Sequence, residues 1–216
     1  WERAASVRDG NGRRDYIPTR DAEALAVRVV ISDDGPIEMR SVTVRDVEFS
    51  QDQNRLFESI AAESPRGNFP AYFLKEHAPW TIVGVSGDTN EALVGAYGQV
   101  EVKRSGWSLE PFLTIGGKLQ TWADASIKQS LVEGYIPIPS VTWGIDGLLL
   151  TTTAFADGDA ESSELVVSYA IQNQRAESVE GNLFLAIRPF QVLPPWQNLN
   201  ITGGATSIDA ISRDGT

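Results

Sequence analysis

No cysteine occurs in this chain, and histidine and methionine occur once each. Disulfide frameworks, thiolate zinc sites and cysteine nucleophiles are therefore excluded. A Ser-His-Asp triad or an imidazole metal site would have to use His77, which lies in KEHAPW and reads as a surface or loop-packing side chain. No stretch approaches the ~18 apolar residues of a membrane-spanning helix. The most apolar segment, Leu148 to Phe155, is broken by Thr151, Thr152 and Thr153. Positive charge is scarce: 18 Lys and Arg stand against 29 Asp and Glu, a formal net charge of −11. Nucleic acid and anionic membrane surfaces are disfavoured as partners, because both need clustered cations. Acidity is compatible with a neutral ligand such as a sugar, and it also serves plain solubility. Nucleotide-binding fingerprints are missing, since neither G-x-G-x-x-G nor G-K-[S/T] follows a strand-like run. The acidic run Asp157-Gly158-Asp159-Ala160-Glu161 lacks the ligand spacing of an EF-hand and reads as a hairpin loop. No catalytic residue, metal or cofactor is expected from these patterns, and they leave the compartment open.

What the chain does contain is alternation. Hydrophobic residues make up 42% of it, enough for a core. Residues 1–22 are rich in Arg, Asp and Gly without a period and read as an extended arm or linker. LAVRVVI (25–31) alternates as a half-buried strand, and SVTVRDVEF (41–49) follows as a second strand with a bulge near Arg45-Asp46. Ser50 and Gln53 form a capping-box pattern ahead of Leu56, Phe57, Ile60 and Ala61, which share a helical face. One short helix is predicted over about 52–63, closed by Pro65 and Gly67. From Ala71 onward strands are predicted over 71–75, 80–85, 92–104, 107–115, 117–124, 126–138, 141–145, 148–156, 163–174, 178–190 and 205–212, with Asp-Gly, Gly-Asp and Pro between them. The last of these reads as the first arm of a hairpin turning at Asp214-Gly215. With Trp1 following no Met, the chain reads as a piece of a longer protein. Strand 178–190 is apolar on both faces, so both must be covered. The expected fold is mainly β: a large antiparallel β-sandwich over 23–216 with one short helix, in which 23–70 could form a separate small subdomain.

The aromatics are the main candidates for contact with a ligand. Sugar rings present apolar C–H faces that stack on flat aromatic rings, while carboxylates and amides take the hydroxyls. Trp122-Ala-Asp124 and Pro195-Trp196-Gln197-Asn198 pair a ring with a polar group one or two residues on. Trp122, Asp124, Trp143, Trp196 and Gln197 are thus the candidate carbohydrate-binding or interdomain residues, with Trp143 better suited to a strand interior and Trp196 to exposure. A glycosidase needs two carboxyls facing each other across the scissile bond, and sequence gives no such pairing. Glu101, Glu110, Asp124, Glu133 and Asp146 read as solvated strand residues. Asn200-Ile201-Thr202 is a glycosylation sequon, relevant only in a secreted eukaryotic setting.

The stretch EPFLTIGGKLQTWADASIKQSLVEGYIPIPSVTWGIDGLLLTTTAFADG, followed by SELVVSYAIQNQ and GNLFLAIRPF, resembles a known family. It is similar to the N-terminal β-supersandwich domains, of galactose-mutarotase-like fold, that precede an (α/α)6 toroid in bacterial carbohydrate-active proteins such as cellobiose and chitobiose phosphorylases and related six-hairpin glycosidases. The likeness is a pattern of strands over roughly 100–216, with no catalytic signature. It implies a non-catalytic domain that packs on a helical toroid of the same chain, shapes the rim of its cleft and takes part in homodimer contacts. The acid carboxylate of such enzymes sits on the toroid, so no catalytic residue carries over. True mutarotases use histidines with a carboxylate. The lone His77 lies outside the matching region, which departs from that pattern. The other reading of the chain is a structural or adhesive β-sandwich with no sugar role.

Overall fold

The structure, a computed structural model, describes residues 2–7, 14–32, 35–36, 38–197 and 201–212. The chain divides into two units, Trp1–Ser59 and Ile60–Thr216. In the first, the described residues up to Asp46 form neither helix nor strand. Leu25, Val27, Val29 and Ile31 are exposed, as are Val42 and Val44, so the two strands expected over 25–31 and 41–49 are not formed. Alternation describes what a strand buries, but a strand also needs a neighbour for its N–H and C=O groups. Among the described residues these segments have no ladder partner. Local order begins at a 3-10 turn, Val47–Ser50, where the Phe49 amide donates to Asp46 Oδ1 (3.3 Å) and Phe49 stacks on Tyr16. The predicted helix forms as α1 (Gln53–Ala62). Its cap is Asp52 rather than Ser50, for the Arg55 amide donates to Asp52 Oδ1 at 2.9 Å.

Among the described residues ten strands follow, in two antiparallel sheets. Sheet A holds β1 (Trp80–Val83), β2 (Ala92–Gly95), β3 (Val100–Glu101), β4 (Ser108–Ile115), β5 (Lys118–Gln120) and β10 (Gly181–Arg188). Its order is β1-β2-β3-β4-β10, with β5 also paired to β4. Sheet B holds β6 (Ser126–Val132), β7 (Ile136–Ile145), β8 (Leu148–Gly158) and β9 (Ser163–Asn173), in that order. The β7–β8 hairpin shows how the sequence sets register. Asp146 and Gly147 both take positive φ (48° and 76°), as a two-residue hairpin with the strand twist requires, so Ile145 pairs with Leu148. Every second side chain then points inward: Val141, Trp143, Ile145, Leu150 and Ala154 meet Val83, Val94, Val100 and Leu113 of sheet A. The outward face of sheet B carries a row of hydroxyls, and Ser140–Thr153 and Thr142–Thr151 join them across the strands at 2.7 and 3.0 Å.

Sheet A is covered in part on its outer face as well, but the end strand β10, expected to be covered on both faces, leaves Phe184, Leu185 and Ile187 51%, 43% and 41% exposed. Phe69 to Leu74 and the segment after β10 lie on that outer face, with Phe73 and Phe69 both against Phe190. This reshapes two predicted strands. Residues 71–75 are a 3-10 turn, Ala71–Leu74, closed by Lys75 at φ 61°. The region 117–124 is the short β5 followed by a second 3-10 turn, Trp122–Asp124. Residues 92–104 split into β2 and β3 around a tight turn, and 205–212 contribute only a bridge between Ala205 and Phe190. The expected turn at Asp214-Gly215 and the sequon residue Asn200 lie outside the described residues.

Candidate functional site

The site grows from two stretches, 189–197 and 201–206, which hydrogen-bond to each other. The Gln191 amide donates to Gly204 O (2.7 Å), that of Gly204 to Leu193 O (2.8 Å) and that of Thr206 to Pro189 O (2.9 Å). Buried groups of sheet A and of the Ala71–Leu74 turn fix them in place. Glu101 Oε2 accepts from the amides of Val192 (2.7 Å) and Leu193 (3.3 Å). The Tyr72 hydroxyl donates to Gln191 O at 2.8 Å. Val192 and Leu193 pack on Leu93, with Trp80 and Ile201 at the margin.

At the tip, Pro194 begins a turn closed by the Gln197 amide (3.1 Å to Pro194 O). Trp196 stands out of it, 54% exposed, and meets the Tyr72 ring edge-on, with centroids 6.2 Å apart at 87°. The Trp80 indole N–H donates to Gln197 Oε1 at 2.8 Å. An indole N–H is only a donor, so it selects the amide oxygen and turns the Gln197 amino group, with its two donors, away from itself. The result is an exposed apolar ring face beside an oriented amide donor, on a loop whose base is locked by buried hydrogen bonds.

The electrostatics beneath the loop differ from those expected of solvated strand residues. Glu101 is 0% exposed and Glu110 is 3% exposed, because sheet A is covered at these two positions. Burial pushes the Glu101 carboxyl above the ordinary carboxylate range, against the backbone amides of Val192, Leu193, Ser105 and Gly106, which pull it down. Its other oxygen, Oε1, is buried without a hydrogen-bond partner. Burial likewise raises Glu110, against the Arg188 guanidinium (3.7 Å) and the Ser108 hydroxyl that donates to it (3.2 Å). Arg188 itself donates to Asn68 O (2.7 Å) and lies over the Phe69, Phe112 and Phe190 rings. Tyr72 is pushed well above its usual value, first by burial and then by the Glu110 and Glu101 charges. These groups are framework, with no carboxylate open to a substrate.

Of the residues singled out from sequence, the structure brings Trp196 and Gln197 together and separates them from the rest. Trp122 and Trp143 are buried, at 4% and 2% exposure, and offer no ring to a ligand. Each gives its indole N–H to a main-chain carbonyl, Trp122 to Phe69 O (3.1 Å) and Trp143 to Tyr97 O (2.9 Å), which anchors the core. Asp124 closes a capping box, with Oδ2 accepting from the Thr121 amide and hydroxyl at 2.9 and 3.0 Å. His77 is exposed. Sequence reasoning missed Trp80, whose link to Gln197 spans 117 residues and leaves no local signal. No family model, curated protein or solved structure matches the chain.

Proposed function

We propose that this β-sandwich is a non-catalytic carbohydrate-contacting domain of a larger glycoside-active enzyme, built on the galactose-mutarotase-like plan and set beside a helical toroid of the same chain. One observation carries the reading: Trp196 is exposed on a braced loop next to an amide whose donors are aimed by Trp80. That pairing suits a neutral polyhydroxylated ring, whose C–H face stacks on indole and whose hydroxyls accept from the amide. The buried state of Glu101 and Glu110 agrees with a domain that shapes or extends a binding surface while another domain holds the acid.

Fluorescence titration with soluble β-linked oligosaccharides tests this. The wild type is expected to show a saturable change in tryptophan emission. Trp196→Ala is expected to weaken binding about tenfold or more, the cost of losing a central stacking ring. Trp196→Phe should retain part of it. Equal binding by wild type and Trp196→Ala, or none by either across a panel of neutral sugars, would overturn the reading and leave a structural sandwich.

A further inference from the structure

We propose a second ligand site: the cleft between β1 and β6 takes a small, uncharged, hydroxyl-bearing molecule of about monosaccharide size. The proposal goes beyond the Trp196 surface and does not depend on it. β1 ends sheet A and β6 ends sheet B, and the two edges part to leave a cleft of ≈ 230 Å³. Ligand pockets for drug-sized molecules run to ~300–1,000 Å³, so this one suits something smaller.

The lining sets the chemistry. Twelve residues line the cleft and none carries a charge. An ion entering it would lose hydration with no counter-charge in return, which excludes acids and amines. Apolar walls come from both sheets, Val94 from one and Leu131 and Val141 from the other, with Thr81, Gln129 and Ser130 between them. Gln129 donates its side-chain N–H to Ala96 O at 3.2 Å, which leaves its carbonyl oxygen as the acceptor available to a ligand hydroxyl. As end strands, β1 and β6 each keep an outer row of N–H and C=O groups without a ladder partner among the described residues. Donors, acceptors and apolar surface without charge describe a site for a molecule that is itself half apolar and rich in hydroxyls.

The cleft and the Trp196 surface share one residue, Trp80, which lines the cleft and also donates to Gln197, while the other side chains of the two sites lie on opposite faces of sheet A. Thr81 shares its face of β1 with Val83, which packs in the inter-sheet core. Trp80 has the opposite parity and packs with Leu93 and Val192 on the outer face. The two sites can therefore be tested apart.

The test is amide chemical-shift mapping of the full chain with methyl β-glucoside, and with the matching glucuronate as the charged control. A ligand this small is expected to bind in the millimolar range. Saturable shifts at Thr81, Ala96, Gln129 and Ser130 are expected with the glucoside and absent with the glucuronate. Both Gln129 and Ser130 are exposed, so Gln129→Leu and Ser130→Leu retain the fold while removing a hydrogen-bonding group from the mouth. Each should weaken glucoside binding about tenfold or more. Trp196→Ala should leave these shifts unchanged, so failure of the loop reading leaves this one standing. The proposal is overturned by any of three results: no shifts at these amides, equal binding of the glucuronate, or shifts confined to Trp196 and Gln197.

Discussion

Glu101 shows how much one side chain decides here. Its carboxyl is fully buried, and one oxygen takes both amides that hold the loop base. Removing it in Glu101→Ala orphans two buried N–H groups, a cost of about 2–4 kcal/mol by urea denaturation. Glu101→Gln keeps an acceptor for those amides and carries no charge, so it should be neutral or stabilising at neutral pH. The pH dependence follows from the direction of the shift. Glu101 and Glu110 both hold their protons more tightly in the folded state than in the unfolded chain. Stability from this source is present at low pH and is lost as pH rises from the ordinary carboxylate range through the raised native value. The fall in unfolding free energy as pH rises above the ordinary carboxylate range should therefore shrink in Glu101→Gln. Arg188→Ala leaves Glu110 buried without its cation and should cost about 3 kcal/mol or more, with a steeper loss towards high pH. None of this was legible in GQVEVKR, where Glu101 alternates like any solvated strand residue. Burial of both faces is a property of the covering segments, which lie elsewhere in the chain. Trp196 was legible, because prolines and Gln around a ring give it nothing local to bury against.

At the scale of elements, turn chemistry proved the more reliable signal and alternation the less. Asp146-Gly147 marks a hairpin through φ alone, and the strands on either side pair in register. Gly147→Val would force a β-branched residue to φ 76°, with its Cβ 2.8 Å from Arg175. A loss of about 2 kcal/mol is expected in thermal or chemical unfolding. Alternation over 25–31 predicted a strand that the structure lacks, since period two marks capacity to pair and says nothing of a partner. AYFLK failed for another reason. Its aromatics are buried, but they pack on Phe190 and Gln191 from a 3-10 turn, and aromatic composition does not separate a turn from a strand. The helix was legible because Leu56, Phe57, Ile60 and Ala61 recur at helical spacing behind a capping residue.

The whole molecule has regions of unequal order, and two measurements should show it. Residues 14–32 carry exposed backbone without helix or strand, so limited trypsin treatment should cut first at Arg20 and Arg28 and leave a resistant fragment containing Ile60 onward. The sandwich also ends in two apolar edges. Leu185 and Ile187 on β10 are 43% and 41% exposed, and Ile171 on β9 is 50% exposed. An edge strand with exposed apolar side chains is a template for association, so Leu185→Lys with Ile187→Lys should lower light scattering on concentration without a large change in Tm. The fastening of Val192 and Leu193 by one carboxylate has a consequence in time rather than space. Amides outside regular structure normally trade their hydrogens for deuterium quickly, yet these two should keep theirs as long as the sheet keeps its own. The segment that displays Trp196 would then wear two clocks, fast at its tip and slow at its root, and the slow one would run ahead only when Glu101 lets go.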